Sequence, residues 1–156
     1  MARLLALVLV LALAVAPAMG ADKAKSDELN GSDFTKKVLG SSDIYAVLFY
    51  APWCGHCKAL MPDWKKFAEA VGPSIKVAQV DCDKEKELAG KYKVEGFPTI
   101  KFFGADKKTP IEYKGARTAE PLAQQAIKIL ADQVQARLGG KKPSSSGGSS
   151  GGGKGS

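Results

Sequence analysis

The sequence is poor in metal ligands. Its 156 residues include three cysteines and one histidine, and that histidine, His56, is pinned between two of the cysteines, Cys54 and Cys57. A zinc site takes four ligands. Beyond the close pair only Cys82 and His56 remain to complete one, so zinc is set aside. Clusters of basic residues are missing too. The net charge of +7 comes from lysines scattered along the chain, which meet only as isolated pairs such as Lys36-Lys37, Lys65-Lys66, Lys107-Lys108 and Lys141-Lys142. Nucleic-acid binding calls for basic residues gathered on one face with aromatics among them, and no nucleic-acid partner is expected. Nor is any apolar run long enough to cross a bilayer. The longest, residues 4–16, falls well short of the roughly 20 residues that a spanning helix needs.

That run sits behind Met1-Ala2-Arg3 and ahead of Pro17-Ala18-Met19-Gly20-Ala21, an order of charged, apolar and small residues that reads as a secretory signal over residues 1–20. Export into the oxidising lumen of the endoplasmic reticulum is expected, with no stable membrane insertion once the signal is removed. The chain does not end in a Lys-Asp-Glu-Leu type retention signal, which leaves secretion open. From Gly139 onward the sequence holds only Gly, Ser, Lys and one Pro. Residues 139–156 therefore read as a flexible tail or a linker to a further domain. Residues 21–138 are left as one domain with a modest core.

Short β-branched and aromatic runs at 44–50, 75–80 and 99–103 have the length of buried strands. Helical patterns separate them at 32–39, with Ser32 and Asp33 as possible caps, at 57–71, ending before Gly72-Pro73, at 84–92 and at 119–138. A short hairpin partner at 111–113 follows the third strand. Strands alternating with helices call for crossovers and a sheet covered on both faces, so a three-layer α/β/α sandwich around a mixed sheet is predicted.

Two cysteines separated by two residues fit a redox dithiol, half of a metal site, or a structural disulfide. A bridge closing so small a loop constrains the unfolded chain little, which leaves redox chemistry. The pair falls where a strand gives way to a helix, so Cys54 is expected at the helix N-terminus, where unpaired amides and the macrodipole favour a thiolate. A positive charge on His56 would add to that. Cys57, one turn on, lies on the same face and close enough to close or break the bond. Cys54 is read as the attacking thiol and Cys57 as the resolving one. Cys82, at a strand end, reads as a half-buried bystander. Asn30-Gly31-Ser32 fits a glycosylation sequon, and equally a plain turn before a helix.

The run Phe49-Tyr50-Ala51-Pro52-Trp53-Cys54-Gly55-His56-Cys57-Lys58, with Gly96-Phe97-Pro98-Thr99 and Gly115-Ala116-Arg117-Thr118, resembles the catalytic thioredoxin domain of protein disulfide isomerases, from about Phe34 to Leu138. The resemblance implies a thioredoxin fold and thiol-disulfide exchange with unfolded or misoxidised secretory proteins. It implies no cofactor beyond the cysteines, with glutathione or an oxidase as redox partner. It also implies a cis bond before Pro98, tuning of the dithiol by Gly55, His56 and Arg117, and a client-binding surface at Trp53, Phe97, Pro98 and Thr99. A strongly reducing thioredoxin-like reductase is disfavoured by histidine rather than proline at position 56. A client-binding chaperone with weak catalysis draws support from one departure. Where the family carries a buried glutamate and an opposing lysine, this chain has Leu48 and Gln79. Losing both members together avoids an uncompensated buried charge.

Overall fold

The computed structural model describes residues 25–139; residues 1–24, with the expected secretory signal at 1–20, and residues 140–156 of the expected tail or linker lie outside the described residues. The elements run β1 (Asp27–Glu28), α1 (Gly31–Asp33) continuing into a π-helical stretch (Phe34–Leu39), and β2 (Tyr45–Tyr50). Then come α2 (Gly55–Val71), β3 (Lys76–Asp81), α3 (Lys86–Lys91), β4 (Thr99–Phe103), β5 (Ile111–Tyr113) and α4 (Ala119–Arg137). One sheet holds all five strands in the order β1-β3-β2-β4-β5. β3 is parallel to both β1 and β2, while β4 is antiparallel to β2 and β5. The mixed sheet between two helical layers is as predicted.

The alternation of side chains along the strands divides the core in two. Ala46 and Leu48 of β2, Val77 of β3, and Ile100 and Phe102 of β4 face α2 and α4, where they meet Leu60, Trp64, Phe67, Leu122 and Ile129. Their neighbours Tyr45, Val47, Phe49, Ala78, Val80 and Phe103 face the other way, onto Phe34, Val38 and Leu88. Burial of both faces explains why β2 reads as an unbroken apolar run. Each fully buried aromatic contributes roughly 1.5–3 kcal/mol of transfer free energy, and Trp64, Phe34, Phe49, Phe67, Phe102 and Phe103 are all in that state. Among the described residues no helix is long and apolar enough to cross a membrane.

Apart from shifts of one or two residues at other element ends, such as α2 starting at Gly55 rather than residue 57, the structure departs from the sequence reading in three places. The cap of the first helix is Asn30, whose side-chain oxygen accepts from the Asp33 amide at 2.8 Å, rather than Ser32 or Asp33. α3 begins at Lys86, not at residue 84, because its two predecessors serve tertiary contacts. Lys84 lies 3.3 Å from Asp81 and 3.5 Å from Glu28, and the Glu85 carboxylate accepts from the Gly31 amide at 3.0 Å. β1 was not anticipated. Two acidic residues carry no strand pattern, and they are ordered by pairing with Ala78 and Gln79 of β3.

Candidate active site

β2 ends at Tyr50, and the chain turns through residues 51–53 to enter α2. Cys54 closes that turn through its amide, which donates to the Ala51 carbonyl at 3.1 Å, while its own carbonyl accepts from the Lys58 amide at 3.1 Å. It is the N-cap of α2, extended at φ −74°, ψ 114°, and its sulfur accepts from the Cys57 amide at 3.2 Å. The first amides of a helix lack intrahelical partners. One of them is thus supplied to the Cys54 sulfur, at the end of the helix where negative charge is favoured.

Cys57, the third residue of α2, is 1% exposed against 6% for Cys54. Burial first, and next the hydrogen bond shared with Cys54, push the Cys57 thiol up to about 11; the Ala51 backbone and the Arg117 charge pull the other way without cancelling them. Both cysteines are unpaired thiols here. The arrangement sets the slightly more exposed sulfur, which faces an amide donor, beside one that burial holds neutral.

Of the remaining predicted residues, Trp53, Gly55 and His56 adjoin the pair in the same turn and helix start, and the others come from two further segments, residues 97–99 and the turn carrying Arg117. Phe97-Pro98 is a cis peptide. The Arg117 guanidinium donates through Nη2 to the Pro98 carbonyl at 3.3 Å, which places its charge where it acts on Cys57. The turn carrying Arg117 is held by Tyr113, whose hydroxyl donates to the Ala116 carbonyl at 2.8 Å. A methyl group at Gly115 would meet that ring at 2.5–3.0 Å, so glycine is needed for the close approach. Thr99 donates to the Gly96 carbonyl at 2.7 Å, bracing the loop that carries Pro98.

Trp53 is 68% exposed. Its ring packs edge-on against Phe97 with centroids 5.9 Å apart, and its Nε1 donates to the Asp83 carboxylate at 3.3 Å. An apolar ledge is thereby fixed beside the cysteines. Asp83 and Tyr113 are supporting residues that the sequence reading missed, and neither belongs to a motif that marks it. Gly55 and His56 are exposed, and a side chain at Gly55 would meet nothing within 4 Å. Steric fit therefore does not explain glycine at that position.

Leu48 is fully buried and stands directly opposite Gln79 in the β2–β3 register. Gln79 is bound by Ser26, whose hydroxyl donates to Oε1 at 3.5 Å and itself accepts from the Trp64 indole at 3.0 Å. A neutral chain of hydrogen bonds ends where the family places a charge pair. Leu48 shares its cluster with Leu60, one turn along α2 from Cys57. Cys82 is buried rather than half-buried, at 5% exposed; it donates weakly to the Val80 carbonyl at 3.7 Å, and burial pushes its thiol up to about 12. In a Cys54→Ser/Cys57→Ser variant, maleimide at neutral pH should label Cys82 at least about a thousandfold more slowly than a free cysteine. Labelling at the rate of the unfolded chain would show that the thiol is accessible.

The thioredoxin family profile matches residues 25–128. The protein disulfide-isomerase A6 homolog of Caenorhabditis elegans is 46% identical over 139 residues, covering 88% of this chain and 32% of that protein. The protein disulfide isomerase-like 2-3 of Oryza sativa subsp. japonica is 53% identical over 105 residues, 67% of this chain and 24% of that one. The chain thus spans only a quarter to a third of the length of these curated relatives. Among solved structures, the J-Trx1 fragment of ERdj5 superposes with a TM-score of 0.65 at 26% identity, over 70% of this chain and 54% of the fragment. Chloroplastic thioredoxin z gives 0.62 at 25% identity, over 69% of this chain and 96% of its own. The chain belongs to the thioredoxin family, and its domain is of the catalytic kind that protein disulfide isomerases carry.

Proposed function

We propose that the chain is a thiol-disulfide oxidoreductase of the protein disulfide isomerase type, acting on folding secretory proteins in the endoplasmic reticulum lumen. The observation that carries this is the unequal pair: a Cys54 sulfur facing the Cys57 amide at 3.2 Å, and a Cys57 thiol buried behind it. In reduction, the Cys54 thiolate attacks one sulfur of a client disulfide, forming a mixed disulfide and expelling the other sulfur as a thiolate. Cys57 then loses its proton and attacks the Cys54 sulfur. The client's second thiolate leaves, Cys54 and Cys57 are joined, and two electrons have passed to the client. Run backward, the same steps oxidise a client dithiol and leave Cys54 and Cys57 reduced; glutathione disulfide or an oxidase then takes up the two electrons and restores the disulfide.

The ledge of Trp53 and Phe97 offers apolar contact to an unfolded segment, and the backbone beside Pro98 and Thr99 is where such a segment would lie. Arg117 helps Cys57 to ionise. Equilibration with glutathione tests the assignment: an isomerase-type disulfide should come to balance near −180 mV, a reductase of the thioredoxin type near −270 mV. A value at the reducing end overturns the reading. Leu48, which leaves Cys57 without a buried acid, favours as second reading a client-holding subunit with weak catalysis. Refolding of a scrambled-disulfide substrate separates the two, since a holdase would act equally well with Cys54 replaced by serine.

A further inference from the structure

A cleft of about 980 Å³ lies between the segment that closes α3 and the β4–β5 hairpin, on the sheet face opposite α2. Lys91, Lys93, Lys101, Lys107, Lys108 and Lys114 line it. Sequence separation conceals this gathering, because the six come from α3, the turn after it, β4, the hairpin loop and the end of β5.

The acids facing the cleft do not balance these charges. Its lining includes two, Glu95 and Glu112. Glu112 is already shared, 2.8 Å from Lys101 and 3.8 Å from Lys114. Asp106 accepts from the Lys108 amide at the outer end, where Asp43 also lies close to Lys107. Lys91 and Lys93 form no ion pair among the described residues. Lys101, in β4, is 6% exposed, and burial pulls Lys107 below the usual lysine range. Lys101 is paired with Glu112 and the Lys107 ammonium donates to the Asp43 and Phe103 carbonyls, so the charge open to an added anion lies chiefly on the exposed Lys91, Lys93 and Lys108. Lys93 moreover stands at φ 51°, where glycine would be less strained.

We infer that this cleft is a docking surface for an acidic, extended segment of the protein whose disulfide is exchanged. The inference rests on the function proposed above and names a partner class for it. Position supports it: the lining reaches Glu95, and Phe97, two residues on, packs against the cluster of Ala51, Cys54 and Cys57. A client held by a run of Asp or Glu would therefore present its neighbouring sequence to Cys54. A peptide fits better than a nucleic acid. The aromatic ring in the lining, Tyr92, is engaged with Phe34, Phe49 and Phe103 at 5.2–5.9 Å, which leaves no free platform for stacking bases.

The test uses the whole 156-residue chain and a fluorescein-labelled deca-glutamate peptide, followed by anisotropy. Charge reversal at the exposed positions, Lys91→Glu/Lys93→Glu/Lys108→Glu, should weaken binding at least about tenfold. A control with the same change of net charge on α2 and α4, Lys65→Glu/Lys66→Glu/Lys128→Glu, should change it less than about twofold. Raising salt from about 50 to 500 mM should abolish the difference. In parallel, exchange is timed with two disulfide peptides, one carrying a glutamate run and one a Gly/Ser run. The cleft variant should lose the preference for the acidic peptide and keep its rate on the neutral one. Equal loss in both variants, no binding of the peptide, or tighter binding of an oligonucleotide of equal charge overturns the inference. If peptide binding follows the cleft while neither disulfide is exchanged, the docking surface stands and the enzymatic reading falls.

Discussion

Cys54→Ser should lower disulfide exchange by at least about a thousandfold, because a serine hydroxyl does not ionise at neutral pH and no second nucleophile is in place. Cys57 does not substitute for it. That thiol is buried and pushed up to about 11, so at neutral pH roughly one molecule in ten thousand carries the thiolate. Cys57→Ser has the opposite signature. Attack by Cys54 continues, but the mixed disulfide has no internal means of release and should accumulate with the client attached. Non-reducing electrophoresis after an acid quench distinguishes the two variants. Rapid turnover by Cys54→Ser, or failure of Cys57→Ser to trap a client, would refute the assignment of roles. Neither side chain carries the core, since Cys54 and Cys57 form a small cluster with Ala51 apart from the two large ones. Loss of activity in these variants should therefore come without loss of fold.

The second large effect concerns the proton on Cys57. Release of a client requires its thiolate, and the side chains nearest in the α2-facing core are apolar. Forming the mixed disulfide removes the hydrogen bond and charge of Cys54 from the balance but leaves burial, the largest cause of the raised value. Release should then accelerate about tenfold per pH unit between pH 7 and 9. Leu48→Glu introduces a carboxylate beside Leu60, one turn from Cys57. It should raise the release rate near pH 7 by about a hundredfold, the lower range of general-base catalysis, and flatten the pH dependence. Alone, the change buries a charge and is expected to destabilise the fold by about 3 kcal/mol. The register pairs position 48 with Gln79, so Leu48→Glu/Gln79→Lys restores a partner and should recover most of that loss. Quenched-flow measurement of mixed-disulfide decay is the readout, and an unchanged rate in the folded double variant would refute the explanation.

The parts legible in the sequence are those encoded by neighbours along the chain. β2 announced itself because both of its faces are buried, and the dithiol because its two sulfurs and the helix start lie within four residues. Parts made by distant neighbours were hidden. Asp27 and Glu28 become a strand only by meeting β3. Asp83 acts through Trp53, 30 positions away, and Asn30, noticed as a sequon, serves as the cap. The lysines illustrate the same limit in reverse: scattered in sequence, they read as a solvated surface, and the hairpin brings four of them against the two at and just beyond the end of α3. The likeness to disulfide isomerases supplied what local chemistry could not, namely the setting of Pro98 and Arg117 beside the cysteines.

Ser26 and β1 also bear on where the folding unit starts. The resemblance read from the sequence starts only near Phe34, whereas the family profile starts at residue 25; the Trp64 indole depends on Ser26, and Leu29, 1% exposed, sits in the core with its amide bonded to Gln79. A fragment starting at Phe34 would leave β3 as an open edge, with Ala78 and Gln79 stripped of their β1 partners. Such an edge invites pairing between molecules. The few polar residues ahead of the first helix thus act as a selvedge, finishing the margin of the sheet so that one copy does not knit to the next.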